Sequence, residues 1–82
     1  MRIDIVLLIW GVEMNRSMKV LIVYLHLIHK ELINYNIFCN NYYPISKRSF
    51  QYIISDINCS LYEYGIYQEV KFNKQLNSYV LE

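Results

Sequence analysis

Eight Lys and Arg against seven Asp and Glu give this 82-residue chain a net charge of +1. That length leaves room for one domain, burying about 60% of its unfolded surface, and none for a catalytic domain beside it. The near balance of charge excludes a broad electrostatic grip on nucleic acid and leaves space only for a local cationic patch. Ile, Asn and Tyr supply over a third of the residues and Ala is absent. Those residue types have AT-rich codons, so the bias reports the gene's composition, and the nine tyrosines are expected mainly at half-buried positions.

The chain opens with an apolar run from Ile5 to Val12, bracketed by Asp4 and Glu13. It is too short to span a bilayer, and without a small-residue cleavage site it does not read as a signal peptide. Two readings of residues 1–16 stay open: an apolar extension that packs on the domain or on a partner, or a stretch ahead of a true start at Met14 or Met18. A first helix is expected near Ser17 to His29. Val20, Leu21, Ile22, Val23, Leu25, Leu27 and Ile28 make it apolar almost all round. Such a helix is either central to a three-helix core or covered on its second side by a partner, a second copy of the chain among them. His26 and His29 stand at i, i+3 with only Glu31 near them, which reads as a solvated pair and not as a metal site.

A second, shorter helix is signalled by Asn34 as N-cap, with Phe38, Cys39 and Tyr42 on its apolar side and Tyr43-Pro44 as the break after it. The third is the strongest signal in the chain. Ser46 starts it, Lys47 and Arg48 fill its first turn, and Phe50, Ile53, Ile54, Ile57 and Leu61 form one buried face at helical spacing up to the stop at Gly65. The opposite face carries Lys47, Arg48, Gln51, Tyr52 and Ser55, residue types that bond phosphates and base edges when a helix lies in a major groove. Two extended runs follow, near 67–72 and 78–81, with Lys71 and Lys74 by the turn between them. Helix, helix, turn, helix and ribbon is the order of a winged helix-turn-helix over 17–82: mainly α, a three-helix core with a two-stranded wing.

The residues Ile33-Asn34, Phe38-Cys39, Tyr42, Ile45-Ser46-Lys47-Arg48-Ser49-Phe50-Gln51, Ile54 and Ser78-Tyr79-Val80-Leu81 resemble the winged helix-turn-helix of bacterial transcription regulators of the DeoR-like and WYL-domain-associated type. The resemblance covers about four fifths of the chain and places Cys39 where the family has a small buried alanine. It departs at Tyr52, where the family has arginine, at Ile53, where it has aspartate, at Ile37, where an acidic residue would close a capping box, and at Ser78, where the wing has glycine. Tyr43-Pro44 also lengthens the turn by one residue. In the family this module precedes a sensor domain, so the resemblance implies either a bare DNA-binding domain or part of a larger regulator.

The function expected is sequence-specific binding of double-stranded DNA by a small transcriptional regulator or a truncated remnant of one. Ser46 would cap the third helix, Lys47 and Arg48 would anchor phosphates with Ser49 beside them, and Gln51 and Tyr52 would reach bases. Lys71 and Lys74 would bring the wing to the flanking backbone. The alternative is a protein-interaction module of the same fold, with the apolar N-terminus and the first helix as its surface and no useful DNA affinity. Partners would then be DNA, a second copy of the chain or a separate effector-domain protein, and no membrane. No enzyme activity, metal or cofactor is expected: Gly11 and Gly65 are the only glycines, too few for a phosphate-cradling loop, and no catalytic triad signature appears. Cys39 and Cys59, with no secretory signal, read as reduced thiols in the cytoplasm.

Overall fold

The computed structural model describes residues 14–82. The apolar run from Ile5 to Val12, and the two readings of it, lie outside the described residues. Among the described residues three helices, α1 (Arg16–Ile28), α2 (Tyr35–Asn41) and α3 (Lys47–Tyr64), are followed by an antiparallel hairpin of β1 (Val70–Asn73) and β2 (Ser78–Leu81). The arrangement is mainly helical and consistent with a winged-helix-like fold.

Each helix begins at a side chain that satisfies one of its free N–H groups. Asn15 Oδ1 accepts from the Met18 N–H at 2.9 Å, Asn34 Oδ1 from the Ile37 N–H at 2.8 Å, and Ser46 Oγ from the Ser49 N–H at 3.0 Å. The first cap lies two residues ahead of Ser17, because Asn15 and not the serine holds the extended backbone that a cap requires. Gly65, at φ +85°, closes α3: its N–H reaches the Tyr62 carbonyl and the Ile66 N–H reaches that of Leu61. This is the paired closure of a Schellman motif. It also explains why β1 starts at Val70 and not near 67. Ile66 is committed to the helix end, Tyr67 is fully exposed, and strand pairing resumes only where Glu69 and Glu82 exchange backbone bonds at 2.9 Å.

The core gathers Met14, Ile22, Val23 and Leu27 from α1 and its lead-in, Ile33 and Phe38 around α2, Phe50, Ile53, Ile54, Ile57 and Leu61 from α3, and Val70 from the hairpin. The face expected for α3 is therefore the buried one, Ile54 and Ile57 included. Tyr24, Tyr35, Tyr42, Tyr43 and Tyr79 pack half-buried against this core, while Tyr52, Tyr62, Tyr64 and Tyr67 are exposed. The expectation for the tyrosines thus holds for five of the nine.

Two side-chain clamps hold the hairpin to the helices. Asn58 of α3 accepts from the Val70 N–H at 2.7 Å and donates to the Val70 carbonyl at 3.3 Å. Ser78, almost fully buried, does the same for Ile33: its Oγ accepts from the Ile33 N–H at 2.6 Å and donates to the Ile33 carbonyl at 2.8 Å. The Tyr79 N–H adds a bond to that carbonyl at 2.8 Å, so the segment between α1 and α2 is stitched to β2. An exposed ion pair between Arg16 and Asp56 joins the start of α1 to the middle of α3, worth at most about 1 kcal/mol at such exposure.

Candidate nucleic-acid interface

The buried stripe of α3 forces its opposite side outward, and Ser46, Lys47, Arg48, Ser49, Gln51 and Tyr52 are all exposed. Lys47, Arg48, Gln51, Tyr52 and Ser55 recur at spacings that keep them on one face. The first turn carries two cations and no acid. The N–H groups of a helix start already present partial positive charge, so cations there are mildly unfavourable and an arriving anion is favoured. Lys47 is steadied by the Tyr35 ring, 6.0 Å from its centroid. The Tyr35 hydroxyl donates to the Ile45 carbonyl at 2.7 Å, and its interaction with Cys39, followed by burial, holds the phenol above its ordinary range. That bond fixes the loop leading into Ser46.

Gln51 is not free. Its Nε2 donates to the Tyr79 hydroxyl at 2.8 Å, which ties the middle of the exposed face to β2 and leaves Oε1 as the acceptor. The lysines of the hairpin differ in setting. Lys74 stands exposed in the turn between β1 and β2, whereas Lys71 lies 3.9 Å from Glu82 in an ion pair and shares a shallow groove with Glu69 and Tyr62. The cationic patch therefore centres on Lys47 and Arg48. Asp56 is occupied by Arg16, and Glu63 sits at the far end of α3, so neither acid lies in the first turn.

Compared with models of known families, with curated proteins and with solved structures, the chain matches none. The resemblance in the segment around Ser46 to Gln51 thus stands on its residues and on the order of the elements. The structure accounts for two of the departures from it. Ile37 packs against the core instead of closing a capping box. Ser78 supplies bonds to Ile33 that no glycine could make.

His26 is a correction to the sequence reading. It is not solvated: its Nδ1 bonds the Leu32 carbonyl at 3.0 Å and its Nε2 the Tyr42 hydroxyl at 2.5 Å. Nδ1–H donates to the carbonyl, which can only accept, and the imidazole braces the turn after α1 against the end of α2. Cys39 is half-buried and not enclosed, with its Sγ 3.5 Å from the Ile45 carbonyl. Among the described residues no group of three His, Cys, Asp or Glu is placed to hold a metal, and no helix is long and apolar enough to cross a membrane.

Proposed function

We propose that the chain binds double-stranded DNA through α3, as a small transcriptional regulator or the DNA-binding part of one, in the manner of the DeoR-like module it resembles. The observation that carries the reading is the exposed first turn of α3. A hydroxyl cap, two cations and no acid stand there together, on a helix whose other face is wholly committed to the core. Lys47 and Arg48 anchor phosphates, with Ser46 and Ser49 offering hydroxyls at the same end. Tyr52 and the free Oε1 of Gln51 face base edges, and Lys74 lets the hairpin meet the flanking backbone. Lys71, drawn toward Glu82, contributes less.

A mobility-shift titration with duplex DNA at low salt tests the reading. Lys47→Ala and Arg48→Ala should each weaken binding on every sequence, and each should lower the magnitude of the log–log salt slope by about 0.9, the loss of one phosphate contact. Wild-type protein that fails to shift DNA under these conditions would overturn the proposal.

Position 52 gives a gain-of-function check. Tyrosine donates one neutral hydrogen bond and releases no counterion, whereas arginine adds a charge at a half-exposed site on the same face. Tyr52→Arg should tighten binding and steepen the salt slope by about 0.9. Equal affinity and equal slope would show that this face of α3 does not meet DNA.

A second reading is favoured by a different observation, the apolar outward face of α1. It makes this surface a protein interface.

A further inference from the structure

The side of α1 turned away from the core carries no charge. Along α1 the exposed residues are Arg16, which turns to Asp56 of α3, and Ser17, Met18, Leu21, Leu25 and Ile28. The four apolar ones follow one another at spacings of three, four and three, with 37%, 55%, 39% and 43% of their surface open to solvent. An ordinary surface helix puts charged residues on this side. A 3–4–3 spacing is the repeat that lets one helix seat its side chains between those of another.

The patch does not stop at the helix. Tyr64 and Ile66 extend it across a groove beside Val20 and Tyr24, and Leu32 and Leu76 extend it across a second groove at Ile28, whose lining also carries Lys30 and Glu31. Taking roughly 200 Å², the middle of the range for an aromatic side chain, for each fully exposed large residue, the stripe presents about 350 Å² and its flanks about 450 Å² more, together near what a specific interface covers on each partner. The largest patch on a typical monomer is about 300–600 Å².

We propose that a second copy of this chain docks on this face, α1 against α1, antiparallel about a two-fold axis between Leu21 and Leu25. An uncharged stripe cannot recognise an acidic or basic partner, but it is complementary to another stripe of the same spacing, and the chain itself supplies one. Its net charge of +1 offers little repulsion between copies. Antiparallel packing opposes the two helix dipoles, where parallel packing would align them. The two-fold sets Leu21 against the partner's Leu25 and Met18 against the partner's Ile28, so each stripe is used in full. The proposal needs no nucleic acid and stands whether or not α3 binds DNA.

Sedimentation velocity of the full chain, from low to high micromolar concentration, should show a monomer–dimer equilibrium. Leu21→Glu and Leu25→Lys, both at exposed positions, should each weaken it about thirtyfold or more, as expected for a central interface residue, with the helical circular dichroism of the wild type retained. An equimolar mixture of the two variants should recover dimer, because the antiparallel register brings the glutamate of one against the lysine of the other. A wild type that remains monomeric throughout, or a dimer that both variants leave intact, would overturn the proposal. Folded variants that do not recover on mixing would overturn the antiparallel register.

Discussion

Phe50→Ala should remove about 3–5 kcal/mol, a quarter or more of the stability of the chain. Phe50 has no exposed surface, and its ring meets Tyr35 at 6.2 Å, Phe38 at 6.0 Å and Tyr79 at 5.7 Å between centroids. It therefore joins α3 to α2 and to β2 at one point. Truncating a buried phenylalanine costs about 3–5 kcal/mol through lost burial and the cavity left behind. An 82-residue domain holds only roughly 4–12 kcal/mol in all. Thermal unfolding followed by circular dichroism should show either no cooperative transition or a midpoint lowered by more than about 12 °C. Phe50→Leu, which keeps most of the volume, should lose much less. A cooperative alanine variant melting within a few degrees of wild type would mean that the aromatic cluster is not the keystone of the core.

Ser78→Ala should cost about 1–3 kcal/mol, although it removes a single oxygen, because it strands a buried donor. The Ile33 N–H bonds Ser78 Oγ and sits on a residue with no exposed surface. The Ile33 carbonyl keeps its bond from the Tyr79 N–H, so the loss falls on the donor side alone. Ser78→Gly, which restores the residue the resemblance calls for, should be at least as destabilising, since it loses the same hydroxyl and adds backbone freedom to a strand. Urea titration gives the measurement, with an unchanged m-value marking a true stability change. A variant within about 0.5 kcal/mol of wild type, the range of a neutral surface change, would show that the Ile33 N–H finds another partner.

Both predictions turn on contacts between parts of the chain far apart in sequence, and that is where sequence reading thinned out. The three helices were legible because their signals are local: Asn34 and Ser46 as caps, Gly65 as the stop, and the spacing of Phe50, Ile53, Ile54, Ile57 and Leu61, which fixes the buried side of α3 whatever it packs against. From that side the exposure of Lys47, Arg48, Gln51 and Tyr52 followed by elimination. The start of β1 was less legible, because alternation from Ile66 to Phe72 says nothing of the Schellman closure that takes Ile66 first.

What the sequence by itself determined is the succession of helices and ribbon and the division of α3 into a buried and an exposed face, since hydrophobic periodicity and capping act within a few residues. Only the tertiary structure decided how the polar side chains are used. Ser78 reaches across 45 residues to Ile33, Gln51 is held by Tyr79, Lys71 is drawn to Glu82, and His26 braces Tyr42 instead of facing water. It also decided which side of α1 goes inside. In a helix apolar almost all round, Arg16, Lys19 and His26 are the exceptions, and they turn toward the rest of the fold, to Asp56, Tyr43 and Tyr42; packing against α3 and the hairpin then leaves Met18, Leu21, Leu25 and Ile28 to the solvent side.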